Sequence, residues 1–167
     1  MVYGKVELFW GTSDIYSQFH PSTFTLNGIE YNCCEQYMMH QKAIVFNDEE
    51  IASQILQETN PKVIKSLGRR VRNFDDNVWI EKCRDVIFEG NLAKFSQNEE
   101  FKRTLLATGT CLIAEASPYD RRYGIGLGQN DRRAQDPKQW RGSNWLGEAL
   151  MKVREELSKE CKEDEKG

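Results

Sequence analysis

The sequence predicts a mainly helical α+β fold, one multihelical domain with a small β element. Three observations lead there. Apolar residues recur at helical spacing over most of the chain, helix-start residues stand ahead of those stretches, and a single Asn-Gly pair marks a hairpin near the N-terminus. At 167 residues such a chain buries a sizeable core without disulfides or a structural metal. Residues 1–157 are expected to form the domain and 158–167 a charged tail.

The elements follow in order. Val6 to Trp10 alternates as a short strand, and Thr23–Leu26 and Ile29–Tyr31 flank Asn27-Gly28 as a two-residue hairpin. Glu35 to Ala43 carries no Gly or Pro and reads as helix. Asp48 opens a second helix, with acids in its first turn and Ile51, Ile55 and Leu56 on one face. Asn60-Pro61 opens a third that ends near Gly68. Asp75 or Asp76 caps a long helix from about Asn77 to Phe95, with Val78, Ile80, Cys83, Val86, Ile87 and Leu92 inward and Gly90 as a soft point. Asn98 caps a short helix through Leu106, and Thr108-Gly109-Thr110 stops it. Cys111 to Ala116 reads as a strand. Ser117 to Ser143 is a long loop, of the kind that is functional or disordered. Ser143 or Asn144 caps a last helix through Leu157, with Leu146, Leu150, Val153 and Leu157 inward and the tail beyond Glu160 fraying.

Charge and composition narrow the function classes. No apolar run approaches the roughly 20 residues of a membrane span, and MVYGKVELFW lacks the apolar stretch of a secretory signal. A cytoplasmic protein is expected (nuclear in a eukaryote), neither secreted nor membrane-bound. Six acids against three lysines from Glu155 onward account for the whole net charge of −3. Elsewhere the charge is balanced but uneven. Lys62 to Arg72 holds five bases and no acid, and Arg121 to Arg141 holds six bases against Asp131 and Asp136. Two positive zones suit a phosphate-bearing ligand; solvated surface charge is the alternative. Five scattered cysteines without a CxxC pair, beside only two histidines, make neither a zinc site nor a Cys–His nucleophile. The thiols are expected to be reduced and structural, and no metal or cofactor is expected.

Two constellations could carry chemistry. Glu35 and Lys42 stand seven residues apart, about two turns, so they share a helix face with Met38 and Met39 between them. Without a ligand the same pattern is a solvated amphipathic face. In Glu115-Ala-Ser-Pro-Tyr-Asp120-Arg-Arg-Tyr123-Gly124, a strand runs into a proline turn that either presents Asp120 to a ligand or uses it as an Asx-turn residue. Gly124, Gly126 and Gly128 permit close backbone approach, but their spacing is not that of a dinucleotide fingerprint. Trp10, Trp79, Trp140 and Trp145 lie beside these elements and suit base stacking, with core packing expected for at least two.

These motifs together resemble the YbiA-like, or NADAR, family. The string from Phe9-Trp10-Gly to His20-Pro21 is similar to its first motif, and Glu35-Gln-Tyr37 through Lys42-Ala to its second. Gly68-Arg69-Arg70-Val71, Trp79, Lys94-Phe95-Ser-Gln97, Leu105-Leu106-Ala-Thr108-Gly109, Glu115-Ala-Ser117-Pro118-Tyr-Asp120 and Trp140-Arg-Gly142-Ser-Asn144-Trp-Leu146-Gly147 follow in order, covering about residues 8–157. The chain differs from the usual pattern at Gln18 and Tyr123. The resemblance implies N-glycoside hydrolysis of ADP-ribose on guanine or of ribosylamino-pyrimidine intermediates of riboflavin synthesis. It implies Glu35, Lys42 and Asp120 as catalytic, and Arg69, Trp79 and Asn144 lining a substrate site. Trp10, Phe19, Arg70, Tyr123 and Gly124 are expected to complete the substrate contacts. An ADP-ribose-containing ligand is the expected partner, with the base on DNA, RNA or a free nucleotide; a non-catalytic ADP-ribose or NAD-binding module is the competing class. Both a lysine Schiff base and a direct carboxylate route fit these residues.

Overall fold

A computed structural model describes residues 5–166, with side-chain surroundings through Lys162. Its elements are β1 (Val6–Phe9), β2 (Phe24–Leu26), β3 (Ile29–Tyr31), α1 (Cys34–Val45), α2 (Glu49–Gln57), α3 (Pro61–Gly68), α4 (Asp76–Gln97), α5 (Glu99–Ala107), β4 (Leu112–Glu115) and α6 (Trp145–Lys166). This is the expected mainly helical α+β class. No helix among the described residues is long and apolar enough to cross a membrane. The chain folds as two compact units, one continuous from Gln18 to Asn98, the other built from the flanks up to Ser17 and from Glu99.

In the continuous unit, β2 and β3 pair antiparallel around Asn27-Gly28, both at positive φ (53° and 79°), as a type I′ turn requires. The hairpin leads into α1, which contacts α2, α3 and α4. Capping follows local chemistry. Asp48 accepts from the Ile51 N–H and Asn60 from the Lys62 N–H, with Pro61 in the first turn. Asp75 accepts from the Asn77 N–H at the start of α4. Tyr31 stacks on Phe24 and meets Tyr37 edge-on, tying the hairpin to α1. Three inward assignments change. Leu56 is exposed on α2, where Ala52 joins Ile51 and Ile55 inside. Val78 and Ile80 face outward on α4, because its buried side runs through Trp79, Cys83, Val86, Ile87, Asn91 and Lys94.

In the other unit, β1 and β4 pair in parallel, Val6 opposite Leu112 and Phe9 opposite Glu115, and α6 packs on β4. Leu146, Leu150, Val153 and Leu157 are buried as expected. The helix does not end at Leu157 but continues to Lys166, with Lys159 3.6 Å from Glu155 and 3.7 Å from Glu156. The segment 117–143 is held by its main chain. Ile125 N–H donates to Glu115 O, Arg141 N–H to Ile125 O, Ser143 N–H to Arg121 O and Asn144 N–H to Gly124 O. Short 3-10 turns at Arg132–Gln135 and Pro137–Gln139 complete it.

Candidate active site

The continuous unit brings Glu35 and Arg69 within electrostatic reach of Lys42. Helix α1 is fixed by buried polar groups rather than by a side-chain cap. The Glu35 N–H donates to Gln18 O at 3.0 Å. Gln36 Nε2 donates to Ile55 O at 3.0 Å and Glu58 O at 3.1 Å, while its oxygen accepts from the Asn32 N–H. Tyr31 Oη and His40 Nδ1 share a 2.9 Å hydrogen bond, and burial lowers the His40 pKa. Met38 and Met39 are buried between Glu35 and Lys42, and a Cβ at Gly68 would collide with the Met39 sulfur. The shared face of Glu35 and Lys42 is therefore largely withdrawn from water; Glu35 is only 7% exposed.

Lys42 is half-buried, and its pKa lies below the ordinary 10.5. Burial is the largest cause. Arg69 pushes in the same direction, while Glu35 and Asp76 push the pKa upward. The Lys42 ammonium also sits over the ring of Phe74, 4.4 Å from its centroid. Arg69 and Arg70 follow α3, exposed; half-buried Phe19 lies under Lys65, whose Nζ is 5.8 Å from its ring. Trp79 is 3% exposed and packs as core, so it offers no open face for stacking.

Not every base in the Lys62–Arg72 zone is available to a ligand. Arg72 Nη2 is 2.9 Å from Asp48, whose carboxylate also accepts the Arg72 N–H at 2.9 Å. The Arg72 hydrogen bonds hold the Asp48 carboxyl far below the usual carboxylate range.

Fully buried Lys94 enters from α4. Lys94 and Glu35 both bear electrostatically on the thiols of Cys33 and Cys34. Burial pushes these thiols up to about 11 and about 12, so neither supplies a thiolate near neutral pH. None of the five cysteines forms a disulfide. Among the described residues no group of three or more His, Cys, Asp or Glu side chains is placed to hold a metal.

In the second unit, Asp120 Oδ1 accepts from the N–H groups of Arg122 and Tyr123, both at 2.9 Å, and its carbonyl accepts from Gly126. That is Asx-turn geometry, and it leaves Oδ2 as the oxygen for other work. A Cβ at Gly124 would press on Glu115 O, Asp120 O and Ser117 Cβ at 3.0–3.1 Å, so glycine there serves the packing of the turn. Tyr123 meets Trp145 edge-on with centroids 6.3 Å apart, and Arg122 lies over Trp145 at 5.8 Å. Trp10 is 48% exposed.

Asn144 has a different place from the one its motif implied. It is 2% exposed, at φ 54°. Its Oδ1 accepts from the Glu115 N–H at 3.1 Å, and its Nδ2 donates to Ile113 O at 2.9 Å. Both ends of the amide hold β4. A Cβ at Gly147 would overlap this amide, which explains the glycine.

Phe74 and Asp76 were missed by sequence reasoning. They follow the basic run directly, and only the fold brings them to Lys42. Lys94 belongs to the Lys94-Phe95-Ser-Gln97 run, but nothing in apolar periodicity marks a lysine as buried.

The model of the NADAR domain matches residues 8–158. The chain belongs to the NADAR family. It is 42% identical over 166 residues to Protein irg-1 of Caenorhabditis elegans, covering 90% of this chain and 78% of that protein. It is 44% identical over 147 residues to N-glycosidase R617 of Acanthamoeba polyphaga mimivirus, covering 85% and 86%. N-glycosidase YbiA of Escherichia coli K12 is 30% identical over 154 residues, covering 90% and 87%. The NMR structure of E. coli YbiA superposes with a TM-score of 0.78 at 28% identity, over 96% of this chain and 89% of that one. The YbiA-like NADAR architecture therefore extends across both units.

Proposed function

We propose that this NADAR protein is an N-glycosidase hydrolase that removes ADP-ribose from ADP-ribosylated guanine. The observation that carries the reading is the α1 face, where buried Glu35 accompanies a half-buried Lys42 whose ammonium is destabilised by burial and by Arg69. A binding module has no need of a lysine so tuned, whereas an amine nucleophile does. The relatives named N-glycosidases support the reaction class.

The chemistry follows from the substrate bond. Ribose joined to an exocyclic base nitrogen is a glycosylamine, which ring-opens to an imine at C1. The neutral Lys42 amine adds to C1. The bond from C1 to the base nitrogen then breaks, and the base leaves as a neutral amine after gaining a proton from a carboxylic acid. Water adds to the resulting lysine imine, C1–Nζ breaks, and the amine and the free sugar are restored. Glu35 is the proton carrier on the same helix face. Arg69 and Arg70 supply charge for a diphosphate, which favours ADP-ribose over a monophosphorylated sugar.

The test is incubation with an ADP-ribosylated guanine oligonucleotide and, separately, with ribosylamino-pyrimidine intermediates, reading released sugar by mass spectrometry. Release from the first substrate is expected. Release from the second alone would reassign the substrate, and binding without release would reassign the protein to the ADP-ribose-binding class.

A further inference from the structure

Phe74 is a large aromatic left 42% exposed beside the lysine the mechanism uses. Its position is built rather than incidental. Asn73 precedes it at φ 61°, a conformation that asparagine tolerates better than most residues, and Asp75 follows as the cap of α4. Phe46, just past α1, meets the ring at 65° with centroids 5.3 Å apart. On the ring sits the Lys42 ammonium, 4.4 Å from the centroid.

We propose that Phe74 is the platform on which the base of the substrate stacks, and thus a specificity-determining residue of the Lys42 site. The inference rests on the N-glycosidase reading, since it gives a place to the base that reading requires. Phe74 is exposed, and an exposed aromatic ring accepts the flat face of a nucleobase in stacking that is tolerant of sequence. The Lys42 ammonium covers part of the ring, so the base takes the part left open, at the usual separation of about 3.5–4.0 Å and beside the amine. Trp79, which the motifs offered for stacking, is core; Phe74 presents open aromatic surface instead.

The experiment compares two probes on the intact protein, guanosine monophosphate and ribose 5-phosphate, by titration calorimetry. Wild type is expected to prefer the probe that carries a base. Phe74→Leu keeps apolar bulk over Lys42 but removes the π-face. It should weaken guanosine monophosphate about 5–150-fold, the range of one base–aromatic stack, and leave ribose 5-phosphate within about twofold. Phe74→Tyr should restore the preference. Because Phe74 is exposed, the unfolding midpoint should hardly move, and a large shift in Phe74→Leu would itself count against a ligand-facing role. The proposal is overturned if wild type does not prefer the base-bearing probe, or if Phe74→Leu binds guanosine monophosphate as wild type does. It is equally overturned if both probes weaken together. A preserved base preference without release of base from any glycoside would refute the hydrolase reading and leave the platform standing.

Discussion

Asn144→Ala separates a structural role from a substrate-binding one. In the folded chain the amide pairs with the Glu115 N–H and the Ile113 carbonyl of β4, and the residue is 2% exposed. Truncation strands both backbone groups. A part-buried N–H and a buried carbonyl left unpaired cost about 1–3 kcal/mol each, so about 2–6 kcal/mol together. Alanine at φ 54° adds about 1 kcal/mol, because its Cβ crowds the carbonyl in the left-handed region. The total of about 3–7 kcal/mol is a large share of the roughly 5–15 kcal/mol that stabilises a typical domain. Asn144→Gly loses the same hydrogen bonds without the backbone strain and should be less harmful by about 1 kcal/mol. Urea denaturation supplies the totals, and amide exchange at Glu115 shows whether the loss lies at β4. A cost below 1 kcal/mol for the alanine variant would refute the clamp. Unchanged stability with a large rise in KM would return Asn144 to the substrate site.

Three further outcomes are expected. Lys42→Arg keeps the cation but has no amine that deprotonates near neutral pH, so turnover should fall at least 100-fold with binding largely kept, and borohydride should trap a sugar adduct on wild type but not on the variant; an active, untrappable enzyme would favour the carboxylate route. Because the Lys42 pKa is lowered in the fold, the buried ammonium opposes folding at neutral pH, and the penalty fades as pH rises through the lowered pKa toward 10.5; Lys42→Met should therefore stabilise the protein at pH 7 and lose that advantage above about 10.5, as urea midpoints across pH will show. Arg69→Ala should raise KM for an ADP-ribosylated substrate about tenfold with a smaller effect on kcat, and an unchanged KM would move the diphosphate elsewhere.

Much of the fold was legible because its signals are local. Asn27-Gly28, Asp48, Asn60-Pro61 and Asp75 each act within a few residues, and each stands where the spacing put it. The parallel pairing of β1 with β4 was not legible, since about a hundred residues separate the strands and neither carries a local pairing signal. The inward face of α4 was misread because its buried set includes Asn91 and Lys94, while Val78 and Ile80 face out. Asn91 is buried because it donates to Gln18 and Ile87 and accepts from Cys34, which no hydropathy pattern can show. The same limit applies to the site. Glu35 and Lys42 follow from helix geometry, whereas Phe74 and Asp76 reach Lys42 through the turn between α3 and α4.

The charges around Lys42 set a constraint on how such a site works. Burial and Arg69 press the amine toward its neutral form, and Glu35 and Asp76 press it back. A diphosphate settling on Arg69 would cancel part of the first push and so favour the ammonium, which cannot attack. Nucleophilicity in the bound state must then come mainly from exclusion of water, because desolvation penalises the charged amine whether or not Arg69 is neutralised. That requirement gives a reason for the rigid seating of α1. Gln36 and the Tyr31–His40 pair lock the helix from its buried side, and Met38 and Met39 are buried between Glu35 and Lys42. The same requirement favours a flat base on Phe74 over a bare sugar phosphate. The base covers the lysine as it binds, whereas a phosphate alone would add negative charge and leave the amine protonated.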